Sequence, residues 1–316
     1  MAIGYPLSSN MHGYLRIRTH VFTKPCQLGA SNWPALADRA MPSSWPAQAP
    51  VSTANGSTAA LAFQAAIRMI TDPHERLLVI VGAHHFGGDV NDPIRSVVGD
   101  VPWGGALLIE ASPMIARELS QSIAAHNPLP RVPPERIIVS NVGIRDKERT
   151  GAATRSTFYT VTARGGGLPS WSTQVGSFNR VRVMNMLKFM HPHQLQKGGN
   201  WTVRQLAGSV LAEAVLCRTL AQELRAHAVL RALRPAVLLV DAEGLDCRIV
   251  AAQDWCHPPL DELALLVWEH KHCLEGAYTR ARAALGRCPQ YGSAAGASTF
   301  ADRENVFYLG GARSPS

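Results

Sequence analysis

Acidic and amide side chains follow several short apolar runs of this sequence. Glu110, Asn141 and Asp241 each come directly after such a run, and Glu243 lies two residues beyond the last of them. A carboxylate at the end of a strand can accept hydrogen bonds from both hydroxyls of a ribose. Gly82 follows the first run, about 28 residues before Glu110, where a glycine lets the backbone approach a ligand closely. These residues indicate a nucleoside ligand at one edge of a sheet.

The runs that position these residues have the pattern of buried strands. Strands are predicted over 77–81, 106–109, 136–140, 236–240 and 263–268, with helices over 59–70, 113–126 and 219–233. Most of the runs are continuous rather than alternating, which is typical of strands buried on both faces. The pattern predicts an α/β fold with a mostly parallel central sheet and helices on both of its faces.

The two ends of the pattern suggest the domain organisation. Residues 1–58 are rich in Pro, Ser, Ala and Gly without a sustained period, so we expect a flexible segment before a domain over 59–316. That segment has Arg16, Arg18 and Arg39 and few acids, as organelle transit peptides do, but it lacks their amphipathic helix. Localisation in the cytoplasm or in an organelle therefore stays open. The glycine-rich, polar stretch around 151–200 is expected to be an irregular insertion or cap.

Composition and charge exclude two classes of partner. No apolar run approaches the roughly 18 residues of a membrane span, so none is predicted. The net charge is +8, but residues 1–71 hold five Lys or Arg and one acid, and thus half of the excess. The remainder lacks a basic stripe with interleaved aromatic residues, so nucleic acid is not an expected partner.

Six cysteines are scattered along the chain without a C-x-x-C pair. They are Cys26, Cys217, Cys247, Cys256, Cys273 and Cys288. Buried free thiols in a reducing compartment are expected, while the even number leaves one or two disulfides open.

A series of motifs runs in fixed order through residues 75–310. They are N-D-P at 91–93, W-G-G at 103–105 before the run that ends in Glu110, N-V-G-I at 141–144, D-A-E-G-L-D at 241–246 and E-H at 269–270. Together they resemble the motifs of FkbM-family methyltransferases, whose signature is D-x-E-G-x-(D/E). Ile80 and Ala111 depart from the acid and the proline that are usual in the family, and His84-His85-Phe86 replaces a tighter glycine turn.

The resemblance implies a Rossmann-like class I methyltransferase fold with S-adenosyl-L-methionine as cofactor. The residues that it and the strand ends suggest for cofactor binding are Gly82, Ala83, His84, Asp92, Glu110, Ala111, Asn141, Val142 and Asp241.

The expected reaction is O-methylation of a hydroxyl on a small molecule or glycan. Methyl transfer to a hydroxyl needs a group that accepts its proton, and Glu243, His270 and Asp241 are the candidate catalytic residues. No metal is expected, because no H-E-x-x-H type cluster occurs; a divalent ion held by these three side chains is a minor alternative.

Two other function classes remain open. A nicotinamide-dependent enzyme on a related fold is disfavoured by the lack of G-x-G-x-x-G. A non-catalytic or degenerate nucleoside-binding protein on a methyltransferase fold is kept open by Ile80 and by the altered loop at 84–86.

Overall fold

A computed structural model describes residues 72–84, 101–127, 129–145, 154–162, 172, 175–195, 202–242, 244–270, 273, 275–291, 298–301 and 305–309. All of them belong to the unit Val51–Ser316. The predicted flexible segment 1–58 and the predicted helix 59–70 lie outside the described residues.

Strands and helices alternate through most of the described chain. The strands are β1 (Arg76–Val81), β2 (Gly105–Ile109), β3 (Ile137–Ser140), β4 (Gly143–Ile144), β5 (Thr154–Val161), β6 (Gly176–Ser177), β7 (Val210–Arg218), β8 (Arg234–Val240), β9 (Leu265–Glu269), β10 (Ser298–Ala301) and β11 (Asn305–Leu309). The α-helices are α1 (Pro113–His126), α2 (Arg180–Leu195), α3 (Val203–Gly208), α4 (Leu220–Ala226), α5 (Asp246–Ala252) and α6 (Glu275–Gly286).

The main sheet has the strand order β10-β11-β9-β8-β1-β2-β3. The five strands from β9 to β3 are parallel to one another, whereas β11 is antiparallel to both of its neighbours. The predicted mostly parallel α/β sheet is therefore confirmed. The chain moves outward from β1 to β3 and then returns to the other side of β1 with β8. A switch of direction therefore lies between β1 and β8, and open α/β sheets bind ligands at the carboxyl ends of strands at such a point.

Both faces of the main sheet are covered by apolar cores. Alternate residues of β1 such as Val79 and Ile80 enter two separate clusters. Leu119 of α1 packs in the cluster of Ile80, while Leu224 of α4 and Ile249 of α5 pack in that of Val79. Full burial of such a side chain contributes about 1.5–3 kcal/mol, which explains why these strands are continuous apolar runs. The expected helices on both faces are present.

A second, four-stranded sheet has the order β4-β7-β5-β6. Its long strands β5 and β7 pair antiparallel from Thr154↔Cys217 to Val161↔Val210. The expectation that residues 151–200 are irregular is wrong for β5 and for the 16-residue helix α2. The first half of β5, residues 154–157, is exposed and polar, so it lacks the apolar run by which the strands of the main sheet are recognised.

Four of the cysteines form two disulfides, Cys247–Cys273 and Cys256–Cys288. The expectation of free thiols is wrong for these four, and correct for buried Cys217; Cys26 lies outside the described residues. The bridged partners are 26 and 32 residues apart in sequence, so only folding brings them together. Because disulfides are typical of oxidising compartments, the argument from thiols to a reducing compartment no longer holds.

One predicted helix has the predicted bounds, and another is shorter than predicted. The helix 113–126 is confirmed as α1, whereas the helix predicted over 219–233 ends at Ala226 and is followed by a 3-10 turn, Ala228–Leu230. Leu230 and Leu233, after the break, are buried in the core, so tertiary packing replaces the last helical turns. Within the described part of the chain, no helix combines the length and the apolar character needed to cross a membrane.

Candidate functional site

The loops that follow β1 and β8 touch each other at the switch point. Gly82 has a φ of 79°, and a Cβ atom placed on it would overlap the carbonyl oxygen of Asp241 and lie 2.7 Å from the carbonyl carbon. The N–H groups of Gly82 and Ala83 donate to the carbonyl of Ile109 at 2.9 and 3.0 Å, and that of Asp241 donates to the carbonyl of Val81 at 2.9 Å. Only glycine fits here, because any side chain would separate the two strand ends.

Glu110 is buried directly after β2 and joins the loop after β1 to the start of α1. Its Oε2 accepts a hydrogen bond from the N–H of His84 at 3.0 Å, and its Oε1 accepts one from the N–H of Ser112 at 2.7 Å. Burial raises the pKa of Glu110, and the charge of Asp241 adds to the rise, against the hydrogen bonds from the backbone of Ser112, His84 and Ala111. A carboxylate has about four acceptor positions, so backbone groups leave room for a ligand hydroxyl.

Asn141 and Val142 support this edge from β3. The Nδ2 atom of Asn141 donates to the carbonyl oxygens of Glu110 and Ala111 at 2.9 and 3.1 Å, while Val142 is buried in the core. These residues therefore hold the ends of β2 and β3 together. The side chain of Val142 packs with the core rather than at the surface of the edge.

The loop after β8 is folded around the carboxylate of Asp246. Its Oδ1 accepts from the N–H of Ala242 at 2.7 Å, and its Oδ2 accepts from the N–H of Gly244 at 2.8 Å. Burial raises the pKa of Asp246 to about 6, and nearby Asp241 adds to the rise. Asp241 itself is exposed. The loop therefore presents one carboxylate to solvent and uses another as an internal support; Glu243, between them, lies outside the described residues.

Arg182 reaches this loop from the first turn of α2. A Cβ atom on Gly244, which has a φ of 88°, would overlap the guanidinium group of Arg182. Nε of Arg182 is buried, and no described residue accepts a hydrogen bond from it. The glycine of the D-A-E-G sequence therefore makes room for a cation as well as for the turn.

His270 follows β9 on the far side of β8. Val240 pairs with Trp268, so Asp241 and His270 leave neighbouring strands at the same edge of the sheet. The half-buried His270 ring lies 5.8 Å from the ring of Tyr278, measured between centroids. The N–H of Cys273 donates to the carbonyl of His270 at 3.0 Å. The disulfide from Cys273 to α5 thus fixes the turn that carries this histidine.

The structure brings most of the predicted site residues to one edge. The strand ends and loops there carry Gly82, Ala83, His84, Glu110, Ala111, Asn141, Asp241 and His270. Asp92 and Glu243 lie outside the described residues. Sequence reasoning missed two participants. Asp246 was signalled only as the last position of the D-A-E-G-L-D motif, and Arg182 belongs to the stretch that was expected to be irregular.

The carboxyls of Glu110, Asp241 and Asp246 lie close enough at this edge to affect one another electrostatically. The carboxyls of Glu110 and Asp246 both have raised pKa values, and in each case the charge of Asp241 contributes. Like charges in a poorly solvated site disfavour ionisation, and a cationic ligand would relieve this cost. Among the described residues, no group of three or more His, Cys, Asp or Glu side chains is arranged to hold a metal ion.

Comparisons with profiles of known protein families, with curated proteins and with solved structures find no match for this chain. The interpretation of the site therefore depends on its own residues and on the topology that positions them.

Proposed function

We propose that this protein is an S-adenosylmethionine-dependent methyltransferase of the FkbM type. The observation that carries the proposal is the strand order of the main sheet. Numbered within that sheet, the parallel strands run 3-2-1-4-5, which is the order of Rossmann-like nucleotide-binding folds around their switch point. The last strand of this sheet in sequence, β11, is antiparallel and lies between the fifth strand, β9, and the sixth, β10. This is expected for the class I methyltransferase fold that the sequence motifs imply.

The chemical groups at the edge fit this cofactor. Glu110, at the end of the second strand, is a suitable acceptor for the ribose hydroxyls. Asp241 is exposed on the other side of β1 and is suited to an ammonium group. The excess of negative charge around Asp241 complements a ligand that carries a positive sulfonium, since a site of one sign concentrates ligands of the other.

The chain's own residues would act mainly by positioning. When bound, S-adenosylmethionine supplies an electrophilic methyl group, which is transferred by an in-line displacement. Glu110 and Asp241 would orient the cofactor, and effective concentration from such positioning lowers the barrier substantially. The imidazole of His270 is one candidate to accept the proton of an acceptor hydroxyl, and Glu243 is the other candidate. The proposed acceptor is a small molecule or a glycan.

One observation favours a non-catalytic nucleoside-binding protein instead. Ile80, which stands where the family usually has an acid, is buried in the apolar cluster beneath α1. The position contributes to packing rather than to ligand binding, so the first loop lacks one of the family's polar groups. This second candidate predicts cofactor binding without transfer.

Calorimetry with S-adenosylmethionine tests the proposal. The wild-type protein should bind it, and Glu110→Gln should weaken binding by about 1–3 kcal/mol, because ribose and backbone partners lose an acceptor. Glu135→Gln, an exposed acid on the turn before β3, is the matched control and should bind as the wild type does. Melting curves of all three exclude unfolding as the cause.

The absence of binding in the wild type would reject the proposal. Transfer of a labelled methyl group from the cofactor to components of a cell extract separates the enzyme from the binding protein. Label found only on free cofactor, despite binding, would favour the second candidate.

A further inference from the structure

Arg182 carries a positive charge at the N-terminal end of α2, where the helix itself favours negative charge. It lies in the first turn of α2, which has no acidic residue, and Arg180 is its neighbour in that turn. The N-terminus of a helix carries a partial positive charge and favours anions by about 0.3–1 kcal/mol each. Two arginines there are therefore electrostatically unfavourable unless an anion is bound close by.

The guanidinium group is held at the candidate site rather than in solvent. It lies against Gly244, which leaves space for it, and its Nε atom is buried without an acceptor among the described residues. A buried donor that stays unsatisfied costs about 1–3 kcal/mol. The N–H groups of α2 nearest to it are already capped, since Oδ1 of Asn179 accepts from the N–H of Val181 at 2.9 Å and of Arg182 at 3.4 Å. The side chain, not the helix end, is thus the group left to bind a ligand.

The same loop presents a carboxylate and receives this cation. Asp241 and Gly244 are three residues apart, so Asp241 and the guanidinium of Arg182 border one short loop with opposite charges. A pair of opposite charges beside one loop complements an α-amino acid, whose ammonium and carboxylate are attached to one carbon.

Glu110 and the loop with Gly244 are separated by one strand of the main sheet. Glu110 follows β2, the loop with Gly244 follows β8, and β1 lies between them. Two strand spacings amount to about 10 Å. The amino-acid arm of S-adenosylmethionine, extended from the ribose, has a similar reach.

We infer that Arg182 binds the carboxylate of the cofactor's amino-acid arm, with Asp241 opposite the ammonium group. This inference rests on the proposed function, and it assigns to the second sheet's helix a part in recognising the cofactor. A planar guanidinium forms paired hydrogen bonds with a carboxylate, and the two Nη atoms of Arg182, which lie against Gly244, are suited to make them.

The test compares S-adenosylmethionine with decarboxylated S-adenosylmethionine, which differs from it by the carboxylate alone. Calorimetry on the wild type should show a preference for the carboxylated form of about 10- to 100-fold, the value of a charge-assisted hydrogen bond. Arg182→Met should abolish the preference by lowering only the affinity for the carboxylated form. Arg180→Met, an exposed arginine of the same helical turn, should keep the preference.

Two results with Arg182→Met would contradict the inference. Equal loss of affinity for both ligands in Arg182→Met would show a structural role, and unchanged affinity for both would place the carboxylate elsewhere; either result overturns the inference while leaving the cofactor assignment intact. If the wild type binds neither ligand, the proposed function fails as well. Should Arg182→Met fold poorly, Arg182→Gln and Arg182→Lys give the same comparison, and only the lysine variant should keep part of the preference.

Discussion

Two fully buried carboxylates in this protein have pKa values that move in opposite directions. Asp246 lies at the edge of the main sheet, and Glu223 of α4 lies where the two sheets meet. Burial raises the pKa of Asp246 to about 6, with Asp241 adding to the rise. Burial also acts to raise the pKa of Glu223, but its hydrogen bonds outweigh this and lower the pKa below the ordinary value.

The difference lies in the partners of each acid. Glu223 accepts from Oγ of Ser140 at 2.6 Å and from Nη1 of Arg218 at 2.8 Å, and it pairs with Nε2 of His227 at 2.5 Å. Among the described residues, Asp246 has only backbone N–H groups as donors, with the carboxylate of Asp241 nearby. The junction is thus complete within the protein, whereas the edge carries negative charge that a ligand can neutralise. Burial by itself identifies neither a structural acid nor a functional one.

The largest effect on stability is expected from replacing Glu223. Glu223→Ala leaves Arg218 and His227 without their common partner, and loss of one member of a buried pair costs about 3–5 kcal/mol. Because the side chains of Arg218 and His227 are 29% and 21% exposed, we expect the lower end of that range in urea unfolding. The control is Glu262→Ala, an exposed acid 3.5 Å from Nε of Arg234, which should cost less than about 1 kcal/mol. Equal effects would mean that the network does not hold the junction.

The two acids should also give the stability of the protein a characteristic pH dependence. The pKa of Asp246 is raised from an ordinary value of 3.8 to about 6. Between those values the folded protein binds the proton that the unfolded chain releases, so stability falls as pH rises from about 4 to about 6. The loss is on the order of 2–3 kcal/mol. Unfolding of the wild type and of Asp246→Asn at pH 4 and pH 7 should show it as a loss of stability that is smaller in the variant, in which Glu110 still contributes a loss of the same sign.

Glu223 supplies the opposite sign in the same experiment. Its pKa is lowered, so its contribution is present above the ordinary pKa of the acid and is lost as pH falls through the folded value. The wild type should therefore lose stability relative to Glu223→Gln below about pH 4. A gain in the stability of the wild type relative to Asp246→Asn as the pH rises through about 4 to 6 would contradict the contrast between the two acids.

The last prediction concerns the switch point. Gly82→Ala imposes a left-handed conformation on a residue with a Cβ, at about 1–2 kcal/mol, and pushes the loop away from Asp241. Thermal melting should detect the cost, and calorimetry should show weaker cofactor binding. Gly208→Ala, where a Cβ would meet nothing within 4 Å, should leave both quantities near their wild-type values. Unchanged binding by Gly82→Ala would mean that the two loops need not touch for the edge to function.

The main sheet could be predicted from sequence because its strands are buried on both faces. Continuous apolar runs located β1, β2, β8 and β9 within two residues of their ends, and acids after such runs located Glu110 and Asp241. The short strand β10 and the exposed half of β5 lack that signal. A strand of this kind is stabilised by its neighbours rather than by its own pattern.

The rest of the site could not be predicted because it depends on long-range contacts. The pairing of Cys247 with Cys273 is one of several that the spacing allows. Arg182 joins the edge only when α2 packs against the loop of Gly244. Asp246 stood in a recognised motif, but its role as a buried support becomes visible only through its hydrogen bonds to the backbone.

The second sheet begins and ends at two points of the chain that lie side by side in space. Gly143 pairs with Cys217 and Ile144 with Arg218, so the chain leaves the main sheet after β3 and returns beside its own point of departure. Segments whose ends adjoin are readily exchanged, lengthened or trimmed without disturbing the host. The main sheet can thus stay the same in evolution, while the segment that carries Arg182 is replaced or altered. In such a lineage, the recognition of ligands and the scaffold that displays them would evolve at separate rates.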